Sequence, residues 1–177
     1  MVLWGWGSSA PRVAKVGVAF GISVIAWSQN LTVEQASQAS ARLVSKDELF
    51  AQSDILSINV QLSDRTRGLV GACELGLMKP TAYLINTARG PIVDEAALVQ
   101  ALQSGTIAGA GLDVFDEEPL PIDHPFKSLD NTILVPHIGY VTEDQYRVRY
   151  GETVEDVAGY LRGAPIRILN PEVLNIV

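Results

Sequence analysis

From residue 13 onward, short runs rich in β-branched residues alternate with segments whose apolar residues recur at helical spacing. This alternation limits the fold more than any other feature. It builds βαβ units around a parallel sheet and excludes most all-α and all-β architectures. Strands are expected at residues 1–4, 22–27, 41–44, 54–60, 81–86, 107–114 and 131–135. Several of these runs are apolar throughout, as strands covered on both faces require. About seven strands in a chain of 177 residues leave room for one α/β core and little else.

Side chains able to bond the free N–H groups of a first turn mark helix starts at Ser45 with Glu48, at Asp94, and at Thr142 with Gln145. Gly105 is placed to end the helix that begins at Asp94. In the last helix, residues 142–162, Val154, Val157, Ala158 and Leu161 share one face, and Gly151 is a potential break. The tail keeps Ile166, Ile168, Leu169, Val173, Leu174, Ile176 and Val177, which is more apolar surface than a solvated terminus holds. Such a tail expects something to pack against.

A formal charge of -7 leaves no excess of Lys and Arg to neutralise phosphates, which argues against nucleic acid or an anionic membrane surface as partner. A small soluble ligand fits better. Cys73 is the single cysteine, so there is no disulfide framework and no Cys-based metal site, and its expected role is packing. No run reaches the roughly 18 apolar residues of a membrane span, and the N-terminus lacks the pattern of a secretory signal. The expected location is cytoplasmic.

The segment GWGSSA, residues 5–10, fits G-x-G-x-x-G/A between a short strand and a helical stretch in which Val13, Val16 and Ala19 or Phe20 recur at helical spacing. Gly5 permits the tight turn, Gly7 lets backbone approach a pyrophosphate, and Ala10 lets the helix lie close on the sheet. The N–H groups of Gly7, Ser8 and Ser9 would then face phosphates, with the helix dipole behind them. Pro11 is compatible, because a first-turn N–H has no partner within the helix. The pattern also occurs as a plain glycine-rich turn. In this setting it points to a Rossmann-type doubly wound sheet that binds a dinucleotide. After the second strand, where an acid would hold the ribose of NAD, stand Ser28, Gln29 and Asn30. The choice between NAD and NADP therefore stays open, with a slight lean to NAD. Trp4, Trp6 and Trp27 gather near the proposed adenosine side and are read as packing.

Three further motifs follow later strands: NTARG at 86–90, DVFDEEPLP at 113–121 and PHIGY at 136–140. Ligands bind at the C-terminal strand ends of an open parallel sheet, so these side chains can converge on one crevice. Alone, Arg89 could be a surface charge, Glu118 one acid in a solvated turn and His137 a loop histidine. Together they suit reduction of a 2-keto acid. Arg89 supplies a bidentate cation for a carboxylate, His137 a proton donor, and Glu118 a neighbour that favours the protonated ring. His124, in DHP, is read as a surface residue. Metal binding finds no support, since no Cys, His or acid cluster has ligand spacing.

From Gly5 to about Ala164 the sequence resembles the cofactor-binding domain of the D-isomer-specific 2-hydroxyacid dehydrogenases. The resemblance implies that Arg89 binds the substrate carboxylate and carbonyl, that His137 is the general acid or base, and that Glu118 hydrogen-bonds His137. It also implies that Asp113 contacts the nicotinamide carboxamide, that Thr87 and Ala88 line the cofactor groove, and that Val60 lies over the adenosine side. Gly5, Gly7, Ser8, Ser9, Ser28, Gln29 and Gly139 complete the expected cofactor-binding set, with Arg89 and His137 shared between the two roles. The family usually carries a basic and an aliphatic residue in the glycine loop. Here Ser8 and Ser9 stand instead, and one charged phosphate contact is expected to be lost.

Family members also carry a flavodoxin-like substrate domain. The expected organisation is a dinucleotide-binding domain at 1–164 with its first strand clipped, and a tail at 165–177 that would return to a substrate domain missing from a truncated chain. Three readings follow: an NAD(P)-dependent oxidoreductase acting on a small 2-keto or 2-hydroxy acid, a dinucleotide-binding module without turnover, or a subunit that pairs with a separately encoded substrate domain. A homodimer is a further expectation.

Overall fold

Seven parallel strands form one sheet in the order β3-β2-β1-β4-β5-β6-β7. The computed structural model describes residues 2–5 and 9–172. The strands are β1 (Val2–Trp4), β2 (Val24–Trp27), β3 (Ala41–Leu43), β4 (Ile55–Ile58), β5 (Tyr83–Asn86), β6 (Gly109–Leu112) and β7 (Thr132–Leu134). Every one lies inside the range expected for it. The strand order reverses between β1 and β4, where Leu3 is in register with both Ala26 and Ser57. A crevice opens at such a reversal, because the connections on its two sides lead away in opposite directions.

The helices are α1 (Ala10–Ala19), α2 (Val33–Gln38), α3 (Lys46–Gln52), α4 (Ala72–Leu77), α5 (Glu95–Gln103) and α6 (Glu143–Leu161). Ser45 and Glu48 close a reciprocal capping box on α3, Asp94 accepts from the Ala97 N–H on α5, and Thr142 accepts from the Gln145 N–H on α6. Gly105, at φ +71°, follows α5 in the left-handed conformation that glycine adopts without strain. Gly151 does not interrupt α6. Among the described residues no helix is long and apolar enough to cross a membrane.

The chain divides into two compact units, residues 1–137 and 138–177. In the first, Leu49 and Phe50 of α3, Leu75 of α4 and Leu98 of α5 pack with Leu56, Ile58, Leu84 and Leu112 of the sheet. A second cluster joins Ala10 and Ala14 of α1 and Ala36 of α2 to Val24 and Ala26 of β2. In the second unit the tail turns back on α6. The Ala164 N–H donates to the Gly159 carbonyl at 3.0 Å, and Arg167 pairs with Glu155 and Asp156. Leu169 is exposed, and Val173 to Val177 lie outside the described residues.

Ile55, Tyr83 and Ile133 are exposed while their neighbours Leu56 and Leu84 are fully buried. Three expectations need correction. The buried stripe of α1 is Ala10, Ala14 and Gly17, whereas Val16 and Phe20 face solvent. Small residues let that helix approach the sheet closely, and this outweighs the hydrophobicity of the larger ones. Cys73 does not pack, since it lies on the exposed side of α4. His124 is not a free surface residue, because only 17% of its side chain is exposed and both ring nitrogens are hydrogen-bonded.

Candidate functional site

The loop after β5 is shaped by Asn86, a buried side chain at the last position of the strand. Its Oδ1 accepts from the Ala88 N–H at 3.0 Å and its Nδ2 donates to the Arg89 carbonyl at 2.9 Å. A buried amide must satisfy both ends, and here it does so by fixing the turn that presents Arg89. The guanidinium is exposed, with Nη1 donating to the Ala88 carbonyl at 2.6 Å.

Gly90 brings this loop against the one that follows β6. A Cβ at position 90 would sit 2.0 Å from the Phe115 carbonyl carbon and 2.1 Å from its oxygen, so only glycine allows the approach. Asp113 is buried and continues the strand pairing, its N–H donating to the Asn86 carbonyl at 3.0 Å. Beyond it, Glu118 folds back over the turn. Its Oε1 accepts from the Phe115 N–H at 3.0 Å, and its Oε2 accepts from His137 Nδ1 at 2.7 Å.

His137 follows β7 at φ +55°, and its N–H donates to the Val135 carbonyl. A left-handed conformation costs a non-glycine residue roughly 1–2 kcal/mol. Here it aims the ring at Glu118. Partial burial pushes the Glu118 carboxyl upward. The His137 ring and the Phe115 N–H outweigh that push, with Arg89 adding to them, and hold Glu118 below the usual carboxylate range. The pair borders a cavity of about 540 Å³ lined mainly by Phe115, Pro119, Leu120 and Leu134.

A second opening of about 810 Å³ lies at the ends of β4 and β5. It brings together Ser9, Val60, Thr87, Ala88 and Arg89 from the expected set, and adds Asn59 and Gln61. Gly5 is buried at φ +89°, and a Cβ there would meet Val60 Cγ1 at 2.4 Å and the Asn59 backbone at 2.7 Å. The glycine thus allows the tight join between β1 and the β4 end that forms the cleft wall. Ser9 stands at the N-cap of α1 with its hydroxyl outside any cap bond. This arrangement fits a dinucleotide, with a glycine turn and a helix N-terminus at one side of an open strand-end cleft.

The remaining expected residues are distributed differently. Ser28 and Gln29 form a turn after β2, in which the Leu31 N–H donates to the Ser28 carbonyl, and neither lines the cleft. Gly139 belongs to the second unit. Gly7, Ser8, Trp6 and the Trp4 side chain lie outside the described residues, while Trp27 packs against the core. Three polar residues that shape the site were not singled out from the sequence: Asn59, Gln61 and Asn86. The strand-end rule that selected Val60 covers the first two equally. Asn86 was visible as the opening residue of NTARG, but its side-chain bonds depend on the loop's shape.

Residues 1–139 match the sequence profile described as D-isomer specific 2-hydroxyacid dehydrogenase, NAD binding domain. The chain is 42% identical over 173 residues to a glyoxylate reductase of Aeropyrum pernix, covering 97% of this chain and 52% of the relative. A phosphoglycerate oxidoreductase from Vibrio cholerae superposes with a TM-score of 0.84 at 33% identity, covering 92% of this chain and 52% of that one. The NAD-complexed D-isomer specific 2-hydroxyacid dehydrogenase from Lactobacillus delbrueckii gives 0.76 at 31% identity, covering 94% and 54%. The chain thus spans about half the length of the curated relatives it matches. With residues 1–139 matched to its NAD binding domain and a relative 42% identical over 97% of this sequence, the chain belongs to the D-isomer specific 2-hydroxyacid dehydrogenases.

Proposed function

We propose that this chain binds a nicotinamide dinucleotide in the cleft at the ends of β4 and β5, and supplies the proton-transfer pair for interconverting a 2-keto acid and its D-2-hydroxy acid. The observation that carries this reading is the 2.7 Å contact between His137 Nδ1 and Glu118 Oε2, which caps the loop packed against the Arg89 turn. When bound, the nicotinamide supplies or accepts the hydride. Since Nδ1–H is committed to the carboxylate, a proton exchanged with substrate enters or leaves at Nε2. The imidazolium of His137 is the form needed to protonate a developing alkoxide, and Glu118 holds the ring in place for that transfer. Arg89 supplies a bidentate cation suited to the substrate carboxylate. Glyoxylate is the first substrate to test, since the Aeropyrum pernix relative is named a glyoxylate reductase.

A binding module without turnover is the second reading, residues 1–139 matching a profile described as an NAD binding domain. Purified chain is titrated with NADH and NADPH by fluorescence, then assayed with glyoxylate and hydroxypyruvate. Binding with turnover supports the enzyme, and His137→Ala is then expected to lower kcat by about 10²–10⁴. Binding without turnover supports the module. A folded chain that binds neither cofactor sinks both readings.

A further inference from the structure

Glu95, in the first turn of α5, makes two bonds that the proton-transfer pair does not use directly. Its Oε1 accepts from the Asp116 N–H at 2.8 Å, and its Oε2 lies 3.2 Å from His124 Nε2. The two contacts fall on either side of Glu118, so one carboxylate ties down both ends of the segment that carries it. We infer that Glu95 and His124 are positioning residues that hold Glu118 in register with His137. This rests on the reading of the Glu118–His137 pair given above.

The hydrogen-bond pattern sets the state of the His124 ring. Its Nδ1 accepts from the Phe126 N–H at 3.3 Å, capping a short 3-10 helix at Pro125–Ser128. The proton therefore sits on Nε2 and is donated to Glu95. Phe126 is almost fully buried and lies 4.8 Å from the His124 ring and 6.5 Å from the Phe115 ring, centre to centre. Phe115 in turn donates its N–H to Glu118 Oε1. Lys127 donates to the Leu120 carbonyl at 3.1 Å, closing the same segment across its middle. A loop residue tied at both flanks loses less conformational freedom when it pairs, so the contact with His137 forms at lower entropic cost. The side chains of Glu95 and His124 are 20% and 17% exposed, so their bond is shielded from the competition with water that weakens surface pairs.

The test uses the imidazole spectrum of the isotope-labelled full chain, which contains two histidines. His137 is expected to show a downfield Nδ1 proton donated to Glu118, and His124 a protonated Nε2 with a bare Nδ1. Glu118→Gln sets the benchmark for a weakened His137 bond. Glu95→Ala should bring the His137 Nδ1 proton to that benchmark, exchanging with solvent about tenfold faster, the factor for one ordinary hydrogen bond. Glu95→Gln has one acceptor oxygen for two donors, so it should give a smaller shift in the same direction. It also decides the matter if Glu95→Ala fails to fold. Lys46→Gln breaks the Lys46–Glu74 pair between α3 and α4, and should leave the His137 signal unchanged as the control for general destabilisation. Folded Glu95 variants with a wild-type His137 signal overturn the positioning role. A Glu118→Gln variant with an unchanged His137 signal overturns the pair itself, which is a separate failure.

Discussion

Gly90 and His137 fix the site at single positions, one by lacking a side chain and the other by holding a strained backbone. Gly90→Ala places a Cβ within bonding range of the Phe115 backbone, and neither backbone segment can yield cheaply. The expected loss is about 2–4 kcal/mol in urea unfolding, the range for overpacked or strained sites. A stability within 0.5 kcal/mol of wild type, a rough threshold for a neutral change, would show that the two loops separate readily. Glu118 and His137 were singled out from residue type and order, because a carboxylate, an imidazole and a guanidinium after successive strands suit one reaction, and the structure places the first two in contact. His124 was misread because DHP looks like a solvated turn. Its partner Glu95 lies on a distant helix and has no local signature.

The helices separate what capping chemistry determines from what packing determines. Asp94→Ala removes the cap of α5 and should cost about 1 kcal/mol in thermal or urea unfolding. The caps at Ser45, Asp94 and Thr142 were legible because a cap is a contact between residues three apart. A fourth cap, the reciprocal box of Thr32 with Gln35 on α2, has the same three-residue spacing and was passed over. α1 behaved otherwise: its apolar spacing suggested Val13, Val16 and Ala19 or Phe20, of which Val13 packs partly against the core, while the close approach to the sheet buries Ala10, Ala14 and Gly17. Ala14→Leu is accordingly expected to cost about 1–3 kcal/mol, while Phe20→Ser stays within about 0.5. Equal effects from the two substitutions would contradict the observed face.

For the whole molecule, acid stability follows from the carboxylates. Glu118 and Glu74 are each pushed upward by burial, but the first is held low by His137 and the second by Lys46 and the Gly71 N–H. Asp54 is lowered by Lys79, and Glu48 by Ser45. A carboxyl lowered in the folded state adds stability above its unfolded value, and that stability is lost as pH falls through the folded one. Asp116 has the opposite sign: burial and then Glu95 raise it, so its contribution is present at low pH and lost as pH rises. More groups are lowered than raised, so urea unfolding from pH 6 to 3 should show declining stability below roughly pH 4. A rise over that interval would contradict the assigned pairs.

Alternation of strand and helix, the caps and the three strand-end motifs were determined by the sequence alone, because periodicity and turn chemistry act between residues close along the chain. The contact of Gly90 with Phe115, the exposure of Ile55, Tyr83 and Ile133, and the Glu95 tie across the Glu118 segment were decided only by the tertiary structure. Each depends on which distant segments come to lie side by side. That is settled by burying the whole core at once, and no local stretch of residues encodes it.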